Sequence, residues 1–159
     1  ASIKKAKFKK IYKRLIVGDV IKILTRMVRN KKRYDVIISS QLIEHLTRGK
    51  GDELLTLMER LGRKVVIAGT PRGFMEQPVE YKGNKKYQEH ISGWNVKDFI
   101  KRKYVIRGTG FILVWSSFGL ARNKNLIISF IFRVISLIFS PLVYYFPDLG
   151  SGIVVHKEL

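Results

Sequence analysis

The 159-residue chain contains no cysteine, which excludes disulfides, thiolate metal sites and cysteine nucleophiles. It is also short of negative charge: 12 Asp and Glu face 31 Lys and Arg, giving a formal charge of +19 and a pI near 10.3. Such a balance surrounds the molecule with a positive field that attracts polyanions and anionic lipid. Nonspecific polyanion binding is therefore expected, but no recognisable RNA- or DNA-binding motif accompanies the charge. No apolar span reaches the ~20 residues needed to cross a bilayer, because Arg133 and Pro141 interrupt the longest one. The basic start, Ala1-Ser2-Ile3-Lys4-Lys5-Ala6-Lys7, lacks the apolar stretch of a secretory signal, so a cytoplasmic setting, with membrane association as a variant, is expected. A glycine-rich strand-turn-helix motif is missing too. Gly18-Asp19 and Gly108-Thr109-Gly110 come nearest, and neither follows a first strand and opens a helix as a cofactor-cradling turn must. The length suits one domain with one core.

What the chain does have is concentrated in Tyr34-Asp35-Val36-Ile37-Ile38-Ser39-Ser40-Gln41-Leu42-Ile43-Glu44-His45-Leu46. The β-branched run 36–38 predicts a strand covered on both faces, and Ser39-Ser40 ends it where hydroxyls serve a following helix. In open parallel sheets ligands sit beyond the carboxyl ends of the strands. Ser39, Ser40, Gln41, Glu44 and His45 are therefore the first residues to ask about chemistry, against the plainer reading of a buried strand and a solvated turn.

Around this centre the pattern predicts a basic helix over 2–10 and a short strand over 14–17 that ends at Gly18-Asp19. A short helix or loop comes next over 21–29, before the polar break Asn30-Lys31-Lys32-Arg33. From Gly51-Asp52, Leu54, Leu55, Leu57, Met58 and Leu61 recur at helical spacing, and Gly62 is expected to end that helix as a left-handed cap. Residues 64–70 read as a buried strand closed by Pro71 and Gly73. The long irregular stretch 72–94, with Phe74, Tyr81, Tyr87 and Trp94 as apolar mass, reads as a substrate-side lid. Asn95 and Asp98 have the spacing of a capping box. Residues 104–108 read as a strand, 111–118 as a helix or edge strand, and 152–157 as a closing strand. In the apolar stretch 126–139 the polar Ser129, Arg133, Ser136 and Ser140 fall on one narrow stripe, predicting a helix buried on most sides. A membrane-surface or dimer contact through 126–146 is the alternative, since positive charge beside an apolar face favours anionic membranes.

The central stretch closely resembles the fourth conserved motif of class I S-adenosylmethionine-dependent methyltransferases, in which a strand with Asp near its start runs into a Val/Leu-Ile-Glu-His-Leu helix. Thr70-Pro71-Arg72-Gly73-Phe74, Tyr87-Gln88-Glu89-His90 and Ile91-Ser92-Gly93-Trp94 followed by Asp98-Phe99 resemble further pieces of the type 11 subfamily. Gln41 stands where that subfamily usually has an acidic residue, and Arg72 where it usually has Asn. The resemblance implies an α/β fold over 1–159: a Rossmann-like methyltransferase sheet, mostly parallel with an antiparallel last strand and truncated at the N-terminus, its first two strands missing. Residues 1–118 would form a partial core with a lid at 71–94, and 119–159 an apolar helix and the closing strand.

It further implies S-adenosylmethionine as cofactor, with Asp19 and Val20 at the adenine and Ser39 and Ser40 near the adenosine. Glu44, His45 and His90 are then the candidate catalytic bases, and Arg72, Phe74, Tyr87 and Trp94 the substrate lid. Each keeps a plain alternative: Asp19 as a helix cap, Glu44 and His45 as orienting groups, His90 as lid packing. No metal is expected, because adjacent positions on a helix send Glu44 and His45 in different directions. Two absent strands would leave a gap of roughly 14 Å between the strand at 14–17 and that at 36–39. Unpaired edges are avoided, so either these strands pair directly or a homodimer partner or complementing chain fills the slot. The substrate is not readable. The alternative function is a non-catalytic, degenerate methyltransferase fold that binds nucleic acid or anionic membrane through its basic surface.

Overall fold

The computed structural model describes residues 13–76, 89–116 and 119–159. The expected helix over 2–10, and Tyr81 and Tyr87 of the expected lid, lie outside them. Four strands form one open sheet: β1 (Tyr34–Ser40), β2 (Gly62–Pro71), β3 (Val105–Phe111) and β4 (Gly150–Glu158), in the order β1-β2-β4-β3. β1 and β2 are parallel, and β4 is antiparallel to both its neighbours. Hence β1, β2 and β3 run one way and the last strand runs against them.

Period-two alternation explains the core. On β2 the buried side chains are Val66, Ala68 and Thr70, and on β4 Ile153 and Val155. They face Leu54, Leu55 and Met58 of helix α2 (Arg48–Leu61), together with Trp94, Phe99 of helix α3 (Val96–Ile100) and Tyr104. The amphipathic α1 (Val20–Arg29) packs on α2. α2 ends at Gly62, but with φ −69° and ψ 152°, which is extended rather than left-handed. A Cβ there would lie 2.4 Å from the tip of the Leu159 side chain, which is half exposed and free to shift.

The other face of the sheet departs from expectation. Val36 and Ile38 do not lie in a strand covered twice; Ile38 is 66% exposed, and Tyr34 and Val36 are open beside it. Register places Val36 next to Val65 and Ile38 next to Ile67, both half-buried, so the open strip is continuous. The cause is position, since β1 is the edge strand and no second helix layer covers this face among the described residues. Residues 14–17 form no strand and are exposed. Direct pairing of that segment with β1, one of the two expected ways to close the sheet, does not occur.

After β3 come the single turn α4 (Ile112–Trp115), then α5 (Leu126–Ile138) and α6 (Ser140–Tyr145). α6 lies against β3, and Phe111 stacks on Phe139 at 5.2 Å between ring centroids. The expectation that α5 is buried on most sides is overturned: only Ser129 and Ser136 of it are buried. No helix among the described residues is long and apolar enough to cross a membrane.

Candidate functional site at the strand tips

β1 delivers Ser39 to the core face, buried, its Oγ without a partner among the described residues. Ser40 points outward and is exposed. The chain then turns through Gln41 at φ 52°, a left-handed conformation unusual for a non-glycine, while Gln41 N–H donates to the Gly69 carbonyl at 2.9 Å. That bond extends the β1–β2 ladder by one residue and holds the turn against its strain.

The next element is a single 3-10 turn, Ile43–His45, not a longer helix. Ile43 anchors it in the core and Glu44, 2% exposed, goes in beside it. The segment 91–94 is tied to this turn: Ile91 and Ser92 N–H donate to the Glu44 carbonyl at 2.8 and 3.1 Å. Ser92 Oγ donates to the Ile43 carbonyl at 3.2 Å, and Trp94 Nε1 donates to Ser92 Oγ at 3.0 Å. This brings His90 edge-on to His45, ring centroids 4.9 Å apart.

One donor atom each of Glu44, His45 and His90 lies within 4.8 Å of the others. The expectation that adjacency separates Glu44 from His45 is corrected here, because the tight turn and the arriving His90 gather all three. His45 Nδ1 pairs with the Glu89 carbonyl at 3.0 Å, and His90 Nδ1 with the Met75 carbonyl at 2.5 Å. A carbonyl only accepts, so in each neutral ring Nδ1 carries the proton and Nε2 keeps the lone pair. Thr70 Oγ1 donates to Glu44 Oε2 at 3.1 Å, while Oε1 is buried without a partner among the described residues. Chemically this is a proton acceptor cluster; two imidazoles and a carboxylate are also a ligand set for a divalent cation.

Beside it opens a groove of about 380 Å³, lined by Ser40, Gln41, Thr70, Met75, Thr109 and Gly110 among others. This is within the size range of small-molecule sites. It sits at the carboxyl ends of β1, β2 and β3, and Thr70 and Met75 each touch both groove and cluster.

The remaining expected site residues fall elsewhere. Asp19 caps α1, its Oδ1 accepting from Lys22 N–H at 3.1 Å. That backbone N–H holds its carboxyl below the usual range. Val20 is the first residue of the same helix. Trp94 is 0% exposed, a core residue with no face for a substrate, and the Arg48 guanidinium stacks on its ring at 3.8 Å. Arg72 is spent on β4: Nε donates to the Gly150 carbonyl at 2.7 Å, and a terminal nitrogen stands 3.9 Å from Asp148. Phe74 is exposed near the groove wall formed by Met75. Tyr87 lies outside the described residues. Sequence reasoning missed Thr70 as the partner of Glu44 and the Met75 carbonyl as the holder of His90. Thr70 had a signal, being the first residue of the Thr-Pro-x-Gly piece; the carbonyl had none.

No family model matches the chain, and no curated protein matches it. Three chains among the solved structures do. One is described as a SAM dependent methyltransferase from Archaeoglobus fulgidus, 14% identical, with a TM-score of 0.50. The likeness is one of fold. It covers 91% of this chain and 66% of that one, so the present chain spans just under two thirds of its neighbour's length. The open, mixed four-stranded sheet is consistent with a Rossmann-like methyltransferase core.

Proposed function

We propose that this chain carries the acceptor side of an S-adenosylmethionine-dependent methyltransferase, with Glu44, His45 and His90 as its proton-accepting cluster. The observation that carries the reading is the convergence of these three donors beside a groove at the carboxyl ends of parallel strands. The methyltransferase fold of the structural neighbour supports it.

The fit to the cofactor is partial. Ser40 and the rim at Gln41, which line the groove, suit the adenosine end, whereas Ser39, buried on the core face, does not line it. A glycine cradle for the methionine end and an acid for the ribose are not found in this chain. When bound, the cofactor supplies an electrophilic methyl group. The chain's own part is then to hold the acceptor in line and take up its proton, at Nε2 of His45 or His90, with buried Glu44 stabilising the imidazolium that forms. Thr70 fixes that carboxylate in place.

In an assembly with the open edge of β1 covered, turnover is read as S-adenosylhomocysteine release. His45→Ala, His90→Ala and Glu44→Gln are expected to lower kcat by about 10²-fold or more with cofactor affinity unchanged; unchanged turnover removes the cluster from catalysis. The convergence of one ligand atom from each of Glu44, His45 and His90, with Glu44 Oε1 unpartnered among the described residues, favours a second reading of the same cluster, as a divalent cation site. Loss of turnover with a chelator, restored by added manganese or zinc, selects it; insensitivity to the chelator selects the proton-acceptor reading.

A further inference from the structure

α5 is built inside out. A helix on the surface of a water-soluble domain turns its apolar stripe inward and its polar residues outward. Here the two buried residues are serines, two turns apart on one face. Ser129 Oγ donates to the Ala121 carbonyl at 2.7 Å, and Ser136 Oγ accepts from Trp115 Nε1 at 2.8 Å. Leu126, Phe130 and Leu137 are 83, 67 and 72% exposed, and Ile127 and Ile138 are equally open. The outward face continues into α6 and past it through Tyr145 and Phe146. Inward polar and outward apolar is the pattern of a helix whose outer solvent is not water.

We infer that the face formed by α5 and α6 docks in the plane of an anionic lipid bilayer. Length rules out crossing: 13 residues make about 20 Å of helix against a hydrocarbon core of about 30 Å. Charge chooses lipid over a second copy. Between Phe99 and Pro147 the chain has no acidic residue and seven basic ones, Lys101, Arg102, Lys103, Arg107, Arg122, Lys124 and Arg133. Two copies, each at +19, repel, whereas an anionic headgroup layer is complementary. The aromatic fringe agrees. Arg133 lies 5.7 Å from the Trp115 ring centre and Arg107 4.7 Å from that of Tyr144, pairing cations with the side chains that favour the membrane interface.

The test is flotation of the whole chain with phosphatidylcholine vesicles, with and without 30% (about one lipid in three) phosphatidylglycerol, at physiological salt. The expected result is binding to the anionic vesicles with a blue shift of Trp115 emission, and a loss of about tenfold or more in Phe130→Asp and Leu137→Asp. Both positions are exposed, so the variants keep the native circular dichroism. Binding that is abolished by salt but indifferent to these substitutions overturns the inference, since charge alone then explains it. So does absence of binding together with a concentration-dependent dimer that Phe130→Asp dissociates, because the face is then a contact between copies. None of these readouts involves methyl transfer, so the proposed function stands or falls separately.

Discussion

Thr70 is a small residue with a large responsibility, because its hydroxyl is the one described donor to a carboxylate that is almost wholly buried. Leaving a buried polar group without its partner costs about 1–3 kcal/mol, more when the group is charged. Thr70→Val keeps the shape and removes the donor. It is expected to destabilise the fold by that amount in urea unfolding, whereas Thr70→Ser, which keeps the hydroxyl, is expected to cost less than half as much. Ser39 is the contrasting case: its hydroxyl is buried and already unpartnered among the described residues, so Ser39→Ala is expected to be neutral or slightly stabilising. A loss above 1 kcal/mol (about the worth of a made hydrogen bond) would show that Ser39 has a partner after all.

At the scale of elements, the packing of α2 and α3 around Trp94 sets two opposing effects against each other. Glycine inside a helix costs roughly 1 kcal/mol relative to alanine, so Gly51→Ala would ordinarily stabilise α2. A Cβ at Gly51, however, would stand 2.3 Å from the Trp94 ring. Overpacking of this kind costs about 1–3 kcal/mol, and Trp94 has no free space to retreat into. The substitution is expected to lower Tm rather than raise it. α3 is held by Asp98, which accepts from Asn95 N–H at 2.7 Å and pairs with Arg48. Burial pushes the Asp98 carboxyl up, but the Arg48 guanidinium and the Asn95 N–H outweigh it and hold the carboxyl below its usual range. Its stabilising share is therefore present above the ordinary carboxylate range and lost as pH falls through the lowered value. The stability gap between the wild type and Asp98→Asn is expected to be largest near neutral pH and to close below about pH 4.

How far these elements were legible in the sequence depends on what fixes each of them. The helix at 48–61, the strands at 62–71 and 150–158, and the Asn95–Asp98 cap arise from local periodicity and spacing, which the sequence displays. The 3-10 turn at Ile43–His45 does not, because hydrogen bonds from Ile91 and Ser92, almost fifty residues away, hold it. The exposure of Ile38 and the inverted orientation of α5 were not legible either. Both patterns say that a surface is apolar, and neither says whether protein lies on it.

For the whole molecule, the salient fact is a sheet with one covered face and one open strip from Tyr34 to Ile38, on the strand that forms the sheet's edge among the described residues. Exposed, apolar edges of this kind pair or aggregate. Either a second polypeptide segment or another chain is expected to take this edge in the working protein. Substituting Val36 and Ile38 by Thr is expected to reduce binding of an apolar dye to this strip while changing stability in urea unfolding by no more than about 1 kcal/mol.

In the proposed function the strand-tip groove takes the adenosine end of the cofactor, while no glycine cradle for its methionine end is found in this chain. Calorimetric titration of adenosine, S-adenosylhomocysteine and S-adenosylmethionine into the chain, at moderate salt to suppress nonspecific charge effects, tests it most directly. Saturable one-to-one binding of all three is expected, with affinities within about threefold of one another, a spread of well under 1 kcal/mol. No saturable binding of any of them, or tight binding of S-adenosylmethionine with none of adenosine, would contradict it.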